Sequence, residues 1–169
     1  MSRWIRAYIA FGSNLGDRKA SLDAALNALG LHGDIRLESV SAFMQTQPVG
    51  PVPQGPYLNG AAELRTRLSP RELLEQFLAI EARQGRVREG EVRWGPRTLD
   101  LDLLFYGDNA ECVMDEPGLT LPHPRVQDRR FVLEPLAEIA PDLIHPVLRL
   151  SVNEMLRRVV AVESEKALR

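Results

Sequence analysis

The chain has 169 residues, 44% apolar and 26% charged, the make-up of an ordinary globular protein with enough material for one sizeable core. Its formal net charge of −2 excludes a surface that attracts nucleic acid as a whole, so any anion site must be local. No apolar run is long enough to span a bilayer, no basic-apolar leader opens the chain, and the single cysteine, Cys112, cannot form an internal disulfide. The expectation is a single domain over 1–169, cytoplasmic, with no membrane and no nucleic acid among its partners.

The segment Ala7-Tyr8-Ile9-Ala10-Phe11 is apolar throughout and predicts a short buried strand, followed by a turn over Gly12–Asp17. Leu22, Ala25, Leu26 and Leu29 recur at helical spacing, with Gly30 as the stop. Ile35 to Thr46 alternates but changes phase near Ser39-Val40, which predicts one long strand with a bulge or bend. Thr46 to Pro56 carries four prolines and two glycines and forms a stiff loop. Leu58 to Arg67 is the next strand, with Ala62 and Leu64 facing one way and Glu63 and Arg65 the other.

Ser69-Pro70-Arg71-Glu72 is a helix start in which Ser69 caps, Pro70 takes the first helical position and Glu72 completes a capping box. Leu73, Leu74, Phe77, Leu78 and Ile80 are the expected buried side, and Gly85 the stop. Leu99 to Tyr106 is a strand and Gly107-Asp108-Asn109 a turn. The proline-rich stretch from Glu116 to Pro146 predicts short elements at best. A second capping box, Ser151 to Glu154, opens a final helix with Met155, Leu156, Val159 and Val160 on its apolar side. Strand, helix, strand, strand, helix, strand in this order predicts an α+β fold. Its sheet would be antiparallel and ferredoxin-like, with helices on one face and a loop-covered substrate site on the other.

The chemistry concentrates between positions 83 and 103. Arg83, Arg86, Arg88, Arg93 and Arg97 precede Asp100 and Asp102 within a few turns of chain. The whole sequence has only two lysines, Lys19 and Lys166, so general arginine richness is an alternative source of this cluster. Arginine's planar fork suits phosphate better than a lysine point charge does. Asp100 and Asp102 are two apart on a strand and share a face, roughly 6–7 Å apart from the rise per residue. Carboxylates at that spacing can bridge a pair of divalent metals about 3.5–4 Å apart. A solvated strand face, salt-bridged to arginines, is the competing reading.

Tyr57 and Asn59 also share a face and suit a flat, hydrogen-bonding heterocycle, unless they are a surface tyrosine beside a turn asparagine. Trp94 either stacks on a flat ring or anchors a loop by packing. His32, His123 and His145 lack the spacing of a zinc site. His123, held between Pro122 and Pro124 in a basic segment, is a phosphate contact or a loop histidine without a task. Gly12–Gly16 lacks the Gly-Lys-Ser/Thr ending of a P-loop, and no Gly-x-Ser-x-Gly nucleophile motif is present.

Several blocks in order resemble the 6-hydroxymethyl-7,8-dihydropterin pyrophosphokinase family, from Ala7 to about Pro141. They are Tyr8–Gly16, Pro48-Val49-Gly50-Pro51 with Tyr57-Leu58-Asn59, Gly85–Arg88, Arg93–Asp102, and Leu119–Arg125 with Arg129 and Phe131. The resemblance implies a monomer that moves pyrophosphate from ATP to the pterin hydroxymethyl oxygen in folate biosynthesis, releasing AMP. It implies two Mg2+ ions on Asp100 and Asp102, and phosphate clamping by Arg86 and Arg97. It implies nucleotide contacts from Glu81, Arg88, Thr120, His123 and Arg129. The pterin pocket would comprise Gly12, Thr46, Val49, Tyr57, Asn59 and Phe131, with Trp94 on a closing catalytic loop. The chain departs from the best-known bacterial pattern at Glu89-Gly90-Glu91-Val92, which is one residue longer and more acidic, and at Gly118 and Pro124. Two other readings use the same residues. A metal-dependent phosphohydrolase would cleave nucleotide without pterin. A ferredoxin-like RNA-binding module would want aromatic and basic residues on the strand face that Asp100 and Asp102 occupy.

Overall fold

The computed structural model describes residues 3–86, 90 and 95–169. A mixed α+β architecture results, in which every strand pairing is antiparallel. β1 (Ile5–Ser13) is followed by α1 (Arg18–Leu31), β2 (Ile35–Val40), β3 (Met44–Thr46) and β4 (Tyr57–Thr66). Then come α2 (Pro70–Arg83), β5 (Asp100–Tyr106), a hairpin of β6 (Met114–Glu116) and β7 (Leu119–Leu121), α3 (Arg130–Ile139) and α4 (Val152–Ala167). The main sheet has the order β2-β4-β1-β5, and β3 continues beside β4. The expected irregularity in the long second strand is present as a register shift between Leu37 and Ser39 against β4, and the strand then breaks. Ser41–Phe43 interrupt it, and the Ser41 hydroxyl accepts from the Ala61 N–H at 2.9 Å and so bridges the gap.

The helices start where their caps dictate. The Asp17 carboxylate accepts from the Ala20 N–H, and both capping boxes, Ser69 with Glu72 and Ser151 with Glu154, are formed. α1 runs one residue beyond Gly30, while α2 ends before Gly85, whose φ of 85° suits a residue without Cβ. Along α2 the buried stripe is Leu73, Phe77, Ile80 and Glu81. Leu78 is exposed, because that stripe follows the i, i+4, i+7, i+8 rows and Leu78 lies off them. A carboxylate therefore occupies a place in the helix's core face.

One core lies between the sheet and α1 with α2, built on Ala7, Ile9, Phe11, Ala62, Leu64, Leu101 and Leu103. The opposite face is not open along its whole length. Tyr8, Ala10, Ala61, Leu104 and Phe105 form a second core with α3 and α4. The ten-residue α3 corrects the expectation of short elements between 116 and 146. Pro135 sits inside it, where it removes one ladder bond, but Val132, Leu133 and Leu136 bury enough apolar surface to hold the helix. A bulge in β5 serves both cores. The register moves from Ile9–Leu103 to Tyr8–Phe105, so Leu104 and Phe105 both enter the second core while Asp100 and Asp102 keep a common face below it.

Candidate active site

The part of the sheet face left uncovered by α3 and α4 is a recess of about 300 Å³. Its floor comes from strand ends. Gly12 of β1 pairs across the sheet with Asn59 of β4 on one side and with Asp100 of β5 on the other. Thr46 of β3 pairs with Tyr57, and the Asn59 Nδ2 donates to the Thr46 hydroxyl. Every one of Gly12, Thr46, Val49, Tyr57, Asn59 and Phe131 lines this recess, as do Arg97, Asp100, Asp102 and Arg129. The aromatic and amide wall and the carboxylate pair thus belong to one cavity.

The carboxylates sit in a field of guanidinium groups. Asp100 accepts from Arg86 Nη1 at 2.7 Å and from Arg97 Nη1 at 3.2 Å. Asp102 has Arg129 Nη1 at 3.8 Å. About a third of the Asp102 side chain stays accessible, but it lies on the recess floor. Burial there, reinforced by the negative charge of Asp100, pushes its pKa up to about 7. His123 is fastened to the β5 bulge, where its N–H donates to the Leu104 carbonyl at 2.9 Å, and it does not line the recess. Its Nδ1 accepts from the Arg125 N–H at 3.2 Å, leaving Nε2 as the protonated nitrogen. Burial and the Arg129 charge push its pKa down to about 4, so the ring is neutral at physiological pH.

Other expected residues lie elsewhere. Glu81 is 1% exposed and stands behind the carboxylates, on the core side, with its Oε1 3.0 Å from Arg86 Nη1. The Thr120 hydroxyl, on the β6–β7 hairpin, donates to Asp115 Oδ1 at 2.9 Å and does not line the recess. Arg88, Arg93 and Trp94 lie outside the described residues. The recess also draws in residues that sequence reasoning passed over, among them Gln47, Arg125, Asp128, Arg130 and Glu163. Asn14 is another. Its Oδ1 accepts from the Arg97 N–H at 2.8 Å, and its Nδ2 donates to Gln54 Oε1 at 2.7 Å and to the Gly55 carbonyl at 3.2 Å. One buried amide therefore ties the arginine end of the site to the proline-rich loop. In the sequence it is an ordinary turn former.

The donor set suits a hard divalent cation. Asp100 and Asp102 offer only carboxylate oxygens, and among the described residues no group of three or more His, Cys, Asp and Glu side chains could enclose a metal. Mg2+ is commonly held in this way, by one or two carboxylates with water and substrate phosphates completing the shell. Each carboxylate has about four lone-pair sites, so the two arginine bonds to Asp100 leave acceptor capacity free.

Comparison with known proteins agrees with this architecture. A family model described as 7,8-dihydro-6-hydroxymethylpterin-pyrophosphokinase matches residues 8–141. A Pseudomonas aeruginosa protein named 2-amino-4-hydroxy-6-hydroxymethyldihydropteridine pyrophosphokinase is 48% identical over 141 residues, covering 83% of this chain and 84% of that one. A Bacillus subtilis protein of the same name is 50% identical over 133 residues, covering 79% and 77%. A crystal structure of Plasmodium falciparum HPPK-DHPS with pterin and p-hydroxybenzoate superposes with a TM-score of 0.75 at 14% identity. This likeness speaks for the fold alone; it covers 98% of this chain and 45% of that one. By the family match and the close relatives together, the chain belongs to the 7,8-dihydro-6-hydroxymethylpterin-pyrophosphokinase family and is a pyrophosphokinase of the diphosphotransferase class.

Proposed function

We propose that the chain transfers pyrophosphate from ATP to the hydroxymethyl group of 6-hydroxymethyl-7,8-dihydropterin, with Mg2+ and release of AMP, in folate biosynthesis. The observation that carries this reading is the union, in one recess, of the Thr46–Asn59–Tyr57–Phe131 wall with the Asp100–Asp102 pair. A flat pterin needs apolar faces and a hydrogen-bonding edge, which two aromatics, an amide and a hydroxyl supply. A polyphosphate needs cations, which Arg97 and Arg129 supply from the recess lining, with neutral His123 as a further donor.

In this reading the wall holds the pterin hydroxyl in line with the β-phosphorus of ATP. Arg97 and Arg129 orient the phosphates from the rim, and Arg86 fixes Asp100 from behind. Asp100 and Asp102 would hold two Mg2+ ions, which neutralise phosphate charge and align the oxygens. Catalysis rests mainly on positioning in this recess. The 169 residues act as one cytoplasmic domain and as a monomer.

Incubation with ATP and Mg2+, with and without the hydroxymethyl pterin, tests this reading. AMP should form only with pterin, and Asp100→Ala and Asp102→Ala should abolish it. AMP or phosphate released without pterin would favour a phosphohydrolase on the same carboxylates. ADP as the product would refute the assignment.

A further inference from the structure

Glu81 lies on the buried stripe of α2, facing the outer side of β5, the strand at the edge of the main sheet. Its Oε1 accepts from the Leu101 N–H at 2.9 Å and lies 3.0 Å from Arg86 Nη1. The same Arg86 nitrogen donates to Asp100 Oδ1 at 2.7 Å and to the Leu99 carbonyl at 3.2 Å. Both side chains are almost wholly buried, at 2% and 5% exposure. The Arg86 N–H also donates to the Glu81 carbonyl at 3.1 Å, so the arginine is tied to the end of α2 by backbone as well.

We infer that Glu81 is a positioning residue for the pyrophosphoryl transfer. It aims Arg86 at Asp100 and fixes the β5 backbone beneath the carboxylate pair, without touching either substrate. This rests on the function proposed above. The argument is one of cost and geometry. A carboxylate in the core face of a helix loses its hydration, and an apolar side chain would fill the place more cheaply. What the carboxylate supplies here is a second fixed negative charge at the Arg86 Nη1 that meets Asp100, and an acceptor for an edge-strand N–H between the two aspartates. Leu101 sits between Asp100 and Asp102 in sequence, so its N–H anchors the backbone from which both carboxylates project. With Glu81 neutralised, the guanidinium loses one of the two carboxylates it meets among the described residues, and its hold on the Asp100 geometry is weakened.

Glu81→Gln keeps an oxygen for the Leu101 N–H and removes the charge, and Glu81→Asp keeps the charge and withdraws it. Both are to be compared with wild type, with Arg86→Ala, and with Glu81→Gln combined with Arg86→Ala. If Glu81 positions, kcat in Glu81→Gln falls by about a hundredfold, as for a small misplacement of catalytic groups, while KM for ATP and pterin stays within about threefold. Adding Glu81→Gln to Arg86→Ala then lowers kcat no further. Glu81→Asp, measured alongside in case the glutamine variant does not fold, shows the same split with a smaller loss. A raised KM for ATP at unchanged kcat would make Glu81 a nucleotide contact and overturn the inference. Multiplying effects of the two substitutions would do the same. The 15N NMR signal of the Arg86 guanidinium separates this inference from the functional reading, since it needs no turnover. Rotation should be slow in wild type and fast in Glu81→Gln, and equal rotation in both overturns the inference even if wild type makes AMP. Slow rotation in a wild-type protein that makes no AMP would refute the functional reading alone.

Discussion

Gly12→Ala is a small change with a localised consequence. Gly12 faces Asn59 across the β1–β4 ladder, and a Cβ built on it would lie 2.7 Å from Asn59 Oδ1, where ordinary contact begins at 3.4 Å. Its other nearest atoms, Asn59 Cγ and the Leu58 carbonyl oxygen, are both at 3.7 Å and are not in conflict. The amide must therefore retreat by about 0.7 Å. Its bond to the Thr46 hydroxyl, worth about 0.5–1.5 kcal/mol, is then strained or lost, and the amide no longer presents its edge to a pterin. Together these effects correspond to a loss of about 1.4–2.8 kcal/mol in pterin binding, or about ten- to a hundredfold in KM for pterin. The KM for ATP at saturating pterin should change little, because Asp100 and the arginines are untouched. Steady-state kinetics in each substrate, with a thermal melt to establish folding, reads this directly. A folded Gly12→Ala variant with pterin KM within about twofold of wild type would refute the placement of the pterin edge at Asn59.

Gly60→Ala is the contrasting case. Its Cβ would meet Phe11 Cε2 and Cζ at 2.4 Å inside the core, so thermal melts should show a stability loss of about 1–3 kcal/mol or more. His145 should make stability pH-dependent. It is buried, its Nδ1 accepts from the Val147 and Leu148 N–H groups, and burial holds its pKa below the ordinary 6.5. The unfolded chain therefore binds the proton more readily than the folded one. This contribution is complete above pH 6.5 and is lost as pH falls from there toward the folded value, by up to about 1.4 kcal/mol per pH unit. His145→Asn, which retains an acceptor, should flatten the decline in Tm between pH 7.5 and 5, and an unchanged slope would assign the effect elsewhere. Ser151→Ala removes the cap of α4 and should cost about 1 kcal/mol in denaturant unfolding.

Much of this architecture is legible in local patterns. The two serine capping boxes, the alternation of Ala62 and Leu64 against Glu63 and Arg65, and the shared face of Asp100 and Asp102 are short-range features, and each is realised. α3 was hidden because prolines around it read as breakers, and because a helix beginning at Arg130 has no side-chain cap to announce it. The second core had a trace in the sequence. Tyr8 and Ala10 are as apolar as Ala7, Ile9 and Phe11, so β1 needs cover on both faces, but periodicity does not say which helix provides it. Glu81 was legible as an acidic residue in a helix, and its burial was not. Whether a carboxylate at that spacing points outward depends on the phase of the stripe, which Leu78 and Glu81 exchange. Asn14 and Glu163 meet the site only through tertiary contact, from a turn and from the last helix.

In the proposed reaction the in-line attack falls on the β-phosphorus of ATP. The direct measurement is 31P NMR of the products formed from ATP carrying 18O on the non-bridging oxygens of that phosphorus, with Mg2+ and the hydroxymethyl pterin. Unlabelled AMP should form, with a pterin diphosphate carrying the label on the phosphorus bonded to the hydroxymethyl oxygen. Label retained in ADP, with a single phosphate on the pterin, would contradict it.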